Sequence, residues 1–133
     1  MRVLIFGGRD LDENKCLNWL LKNIEIEDIS LVISGLARGA DTAGKKYAIK
    51  KGLTLLKFPA DWDRYKDRAG PIRNMQMYVE GKPDLAISFP GGTGTQNMLG
   101  ILKKGKVPTI KVKGNFANEE KESTTLKRFK TRK

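Results

Sequence analysis

Residues 90–95 read Pro-Gly-Gly-Thr-Gly-Thr, directly after the apolar run Leu85-Ala86-Ile87-Ser88-Phe89. Glycines let backbone N–H groups come close to a ligand. A helix starting here would add unpaired N–H donors and a partial positive charge, which together suit a phosphate. The hydroxyls of Thr93 and Thr95 can contribute further bonds, and Thr95 is placed to cap the following helix. Taken alone, the motif fits a tight strand-to-helix turn with a threonine cap as well. Two other glycine-rich turns also follow apolar runs: Gly7-Gly8-Arg9-Asp10, and Ser34-Gly35-Leu36-Ala37-Arg38-Gly39-Ala40-Asp41. A single turn of this kind carries little information, but three opening on one edge of a sheet point to a shared binding site.

Candidate ligand contacts are therefore Gly7, Gly8, Ser34, Gly35, Gly39, Gly91, Gly92, Thr93, Gly94 and Thr95. Arg9 and Arg38 lie inside two of the turns and Arg73 follows Gly70-Pro71; guanidinium groups grip phosphate in a bidentate way. Asp41 can stabilise a helix amino end, contact a ribose hydroxyl or orient a basic residue. No turn carries the Lys-Ser/Thr pair of a Walker loop or the pattern G-x-G-x-x-G, which argues against ATP hydrolysis and ordinary NAD binding. The chain has no histidine and one cysteine, Cys16, so the usual zinc sites and Ser-His or Cys-His pairs are missing. No metal or resident cofactor is expected. Acid and base chemistry is left to Asp, Glu, Lys, Arg, Tyr or the ligand.

The elements that would position these residues are short. Val3-Leu4-Ile5-Phe6 lacks polar alternation, as a strand buried on both faces does. Similar runs recur at Leu31–Ile33, Leu53–Leu56, Leu85–Ile87 and Thr109–Val112. Helical spacing separates them: Leu17, Leu20, Leu21 and Ile24 share one face, with Cys16 beside them as a small core residue; Ala40, Ala43, Gly44, Tyr47 and Ala48 share a second. Ile72, Met75 and Val79 suggest a third apolar face, and Met98, Leu99 and Leu102 a fourth. This alternation predicts an α/β, Rossmann-like three-layer sandwich around a mostly parallel five-stranded sheet. Pro59 to Gly70, with Trp62 and Tyr65, is read as a long irregular loop.

At 133 residues the chain suits one domain, here residues 1–112, followed by a basic and flexible tail at 113–133. Of the net charge of +11, +4 falls on that tail and +7 on the body, so anionic partners are expected of the body itself. No apolar run nears the roughly 18 residues that cross a bilayer, and no leader pattern opens the chain. No membrane partner is expected, and the protein reads as cytoplasmic.

In the order Gly7-Gly8-Arg9-Asp10, Ser34 to Asp41, Phe58-Pro59-Ala60-Asp61-Trp62, Gly70-Pro71-Ile72-Arg73-Asn74-Met75 and Phe89 to Thr95, residues 1–112 resemble the SLOG superfamily. Their pattern looks most like its YspA-related branch of small bacterial and phage proteins. More distantly they are similar to the lonely-guy phosphoribohydrolases and to DNA-processing protein A. The resemblance implies a pocket for a nucleotide or nucleotide-derived molecule, with Arg73 and Arg38 neutralising charge, Asn74 beside them and Trp62 covering the base. It also implies a homodimer. In the phosphoribohydrolases, P-G-G-x-G-T-x-x-E supplies a glutamate that works with an arginine to cleave base from ribose 5'-phosphate. Here Arg73 matches the arginine, but Met98 stands at the glutamate position and a thioether cannot carry a proton. Whether the chain is an enzyme is left open: one alternative is a nucleoside 5'-monophosphate glycosidase with Arg73 and an aspartate, Asp41 or Asp61, as its catalytic groups. The other is binding of single-stranded nucleic acid, implied by the likeness of residues 34–41 to the DNA-processing protein and by Trp62 and Tyr65 as stacking groups.

Overall fold

The computed structural model describes residues 1–25 and 27–118. Five strands form one sheet, β1 (Arg2–Phe6), β2 (Leu31–Ser34), β3 (Thr54–Lys57), β4 (Leu85–Ser88) and β5 (Thr109–Lys111). Their order is β3-β2-β1-β4-β5 and every pairing is parallel, so the sheet is wholly rather than mostly parallel. Val3 lies opposite Val32 on one side and Leu85 on the other. With a neighbour on each edge and a helix layer on each face, β1 has no solvent-facing side, and Val3 to Phe6 are all buried.

Side chains of a strand point alternately to its two faces, and that alternation builds the two halves of the core. Val3 and Ile5 enter the cluster packed by α1 (Glu13–Asn23) and α2 (Ala40–Lys51), with Cys16, Leu20, Ala43 and Tyr47. Leu4 and Phe6 enter the other, packed by α4 (Ala69–Val79) and α5 (Thr93–Lys104), with Met77, Met98 and Leu102. Asp12 caps α1 by accepting from the N–H groups of Asn14 at 2.8 Å and Lys15 at 3.1 Å. No helix among the described residues is long and apolar enough to cross a membrane.

Three local expectations are revised. The stretch from Pro59 to Gly70 contains a short helix, α3 (Trp62–Tyr65), a 3-10 turn at Lys66–Arg68 and the start of α4. Asp61 nucleates it by accepting the Arg64 N–H at 3.1 Å. Helix α4 is turned so that Met75 and Val79 are exposed while Arg73, Asn74 and Met77 are buried. Its inner face sends Met77 into the core and sets Arg73 and Asn74 on the cavity, so hydrophobic spacing selected the wrong side. Finally, the chain beyond β5 does not leave the body at Lys113. Phe116 is 7% exposed and stacks edge-on against Phe89, ring centroids 5.1 Å apart. The Phe116 carbonyl accepts the Asp12 N–H at 2.7 Å, and the Ala117 carbonyl accepts from Lys15 Nζ at 2.9 Å. The rest of the expected tail, 119–133, lies outside the described residues.

Phe116→Ala is expected to cost about 3 kcal/mol of stability in urea unfolding, as for a buried aromatic truncated in a core. Unchanged stability would mean that this segment does not belong to the body.

Candidate functional site

In this strand order the chain leaves β1 toward one side of the sheet and β4 toward the other, so their carboxyl ends flank the point where ligands of open α/β sheets bind. The loops there are joined by backbone. The Gly8 N–H donates to the Pro90 carbonyl at 2.9 Å, and the Gly8 carbonyl accepts the Ala40 N–H at 3.2 Å. Gly39, in a left-handed conformation at φ 73°, sits so close to the Gly8 carbonyl that a Cβ would overlap it. A Cβ on Gly91 would meet Thr95 Oγ1 and come within 2.8 Å of the Gly8 nitrogen. The turns after β1, β2 and β4 therefore do converge on one edge, as the sequence suggests.

A cavity of about 490 Å³ opens at this junction. Its floor is Phe6, Gly7 and Gly8, and Arg9 and Asp10 extend that wall outward. The first turn of α5 supplies a second wall through Gly92, Thr93, Gly94 and Thr95, followed by Asn97 and Met98. Helix α4 supplies a third through Gly70, Pro71, Arg73, Asn74 and Met77, while Ala37, Asp41, Trp62 and Asp67 complete the lining. The cap residue of α5 is Gly92, which has no capping side chain. Thr95 is thus not the cap; it stands in the third helical position, buried, with its hydroxyl against Gly91. The Gln96 N–H closes the first helical bond, to the Gly92 carbonyl at 3.0 Å, so the N–H groups of Thr93, Gly94 and Thr95 precede the helical ladder.

Two ionisable groups are buried in the walls. Arg73, 7% exposed, donates from Nη1 to the Gly35 carbonyl at 2.7 Å and from Nε to Asn74 Oδ1 at 3.1 Å. Asn74 in turn donates to the Gly94 carbonyl at 3.2 Å and to Asn97 Oδ1 at 3.0 Å, tying α4 to the start of α5. Asp41 is also buried, and desolvation raises its pKa from 3.8 to about 6; the positive charges of Arg73 and Arg9 and the N–H groups of Ala37 and Gly7 hold it from rising further. Nearer the solvent, the Arg9 guanidinium lies 4.8 Å from the Trp62 ring centroid, a cation–π pair at the rim.

Other sequence candidates support the site from behind. Ser34 Oγ donates to the Asp41 carbonyl at 3.0 Å and accepts the Leu36 N–H at 3.1 Å. Gly35, Arg38 and Gly39 belong to the same turn; Arg38 is exposed and does not line the main cavity. Sequence reading missed Asp10, Asp67 and Asn97. Asp10 adjoins a glycine turn and Asn97 lies one helical turn beyond Thr93, both readable signals, whereas nothing local marks Asp67. Met98, which stands where the resemblance to the phosphoribohydrolases leads one to expect a glutamate, is a buried wall residue.

Sheet order, crevice and glycine turns define a Rossmann-like domain with a polar cavity at its switch point. A family model described as YAcAr, the YspA, cpYpsA-related SLOG family, matches residues 1–65. The gene 61 protein of Mycobacterium phage D29 is 30% identical over 118 residues, covering 82% of this chain and 94% of that protein. The chain belongs to the YspA, cpYpsA-related SLOG family. No solved structure matches it.

The buried carboxyl sets a pH dependence. The folded protein keeps the Asp41 proton up to about pH 6, while the unfolded chain releases it near 3.8. Between those values folding takes up a proton, so stability falls as pH rises. The stability difference between the native protein and Asp41→Asn is expected to shift by about 3 kcal/mol from pH 3 to pH 7, against the native protein. A difference independent of pH would contradict a titrating buried carboxyl.

Proposed function

We propose that the protein binds a nucleotide or nucleotide-derived small molecule, with a phosphate at the amino end of α5 and the nucleoside in the cavity between β1 and β4. The observation that carries this reading is one cavity faced by both a glycine-rich helix amino end and a buried guanidinium, Arg73. Unladdered N–H groups and a guanidinium are complementary to a phosphate oxygen cluster. The volume, about 490 Å³, suits a ligand of nucleotide size. Asp10 and Asp67 offer acceptors for ribose hydroxyls or base amino groups, and Trp62, 45% exposed, offers an aromatic surface at the rim. Family membership supports a nucleotide-related ligand.

A catalytic reading, cleavage of base from a nucleoside 5'-monophosphate, draws on Asp41. A carboxyl with a pKa of about 6, on the same cavity wall system as Arg73, can donate a proton near neutrality where Met98 cannot. Incubation with nucleoside monophosphates and chromatography for free base decides it: product that disappears in Asp41→Asn supports the reading, and none above a heat-killed control ends it.

For binding itself, the sharpest variant is Gly94→Val, because a Cβ at Gly94 has no protein atom within 4 Å and would stand in open space beside the cavity wall. Replacing a glycine inside a helix leaves stability within about 1 kcal/mol. Nucleotide affinity measured by calorimetry should nevertheless fall by about tenfold or more, the worth of one lost charge-assisted contact. Undiminished affinity would move the phosphate away from α5.

A further inference from the structure

Beside the main cavity, at the end of β2, lies a smaller cleft of about 220 Å³. Three arginines, Arg9, Arg38 and Arg73, line it together with Trp62 and the Gly35-Leu36-Ala37 turn. None of its lining residues is acidic, whereas the main cavity carries Asp10, Asp41 and Asp67. Burial disfavours protonated Arg73, the Asp41 charge opposes that effect, and the charge of Arg9 adds to it, so Arg9 and Arg73 repel each other across the cleft. Like charges gathered around one small volume repel, and a bound anion relieves that repulsion.

The turn that carries Arg38 is held open by local structure. Leu36 adopts a left-handed conformation at φ 58°, which is costly for a side chain with a Cβ, and Ser34 Oγ fixes it by accepting its N–H. Arg9, Ala37, Trp62 and Arg73 line both spaces, so the cleft and the cavity share a wall and one ligand can reach into both.

We propose that the cleft of Arg9, Arg38 and Arg73 is a second anion subsite, and that the ligand carries two phosphate groups, one at the amino end of α5 and one among the three arginines. This deepens the proposed function and rests on it for the first phosphate. The acidic residues of the main cavity then face the neutral, hydroxyl-bearing part of the ligand, and Arg73, shared between the two spaces, is joined in the cleft by Arg9 and Arg38, which a single phosphate held by α5 and Arg73 leaves unused.

The test is calorimetry on the full chain in buffer free of phosphate and sulfate, comparing AMP with ADP, adenosine 3',5'-bisphosphate and ADP-ribose. At least one of the two-phosphate compounds should bind about tenfold or more tighter than AMP, a difference worth one charge-assisted contact. Arg38→Gln, at an exposed position where folding is not at stake, should weaken that compound by about tenfold more than it weakens AMP. If AMP binds and no two-phosphate compound binds tighter, or if Arg38→Gln weakens both alike, the second subsite is overturned while the first phosphate site stands. Binding of none of the four overturns both.

Discussion

Gly8 is hydrogen-bonded on both sides of its backbone to different loops, and the carboxyl edge of the sheet depends on it. Its N–H holds the turn after β4 through Pro90, and its carbonyl holds the start of α2 through Ala40. Gly39 and Gly91 press against it too closely for any Cβ. Main-chain bonds have no rotamer to lose, so α2 and α5 are set relative to β1 with little of the freedom a side-chain contact would leave.

Arg73 and Asn74 do comparable work from the opposite wall. Burying a guanidinium is unfavourable unless its donors are met, and here the Gly35 carbonyl and Asn74 Oδ1 meet two of them. Because Asn74 also bonds the Gly94 carbonyl and Asn97, the arginine, the turn after β2 and the first turn of α5 form one connected polar unit. A shift of α5 is therefore transmitted to Arg73 by polar contacts as well as by the apolar packing of Met77 against α5.

The central strands were legible because a parallel strand paired on both edges is buried on both faces and its residues need no polar alternation; Val3 to Phe6 and Ala86 to Ser88 follow that logic, whereas the edge strands β3 and β5 are partly exposed. The first two helices were legible for the related reason that their inward faces are apolar. Helix α4 was misread because its inward face is divided, Met77 packing into the core while Arg73 and Asn74 border the cavity. Arg73 and Asn74 occupy positions a spacing argument assigns to solvent, and Met75 and Val79 are exposed in their place. Among the site residues, those in glycine turns announced themselves, since close backbone approach leaves a compositional trace. Asp67 did not, because a lone carboxylate in a charged segment looks the same whether it faces water or a cavity. Phe116 was lost to its basic, polar surroundings, although its ring packs on Phe89 and two hydrogen bonds to α1 and its cap fix the same segment.

Cys16 sits on the inner face of α1 with no exposed surface, and burial, followed by the nearby charges of Asp12 and Glu13, pushes its thiol up to about 12. The reactive thiolate is accordingly almost unpopulated at neutral pH and out of reach of oxidants. As long as α1 stays docked, Cys16 does not crosslink this chain to a second copy.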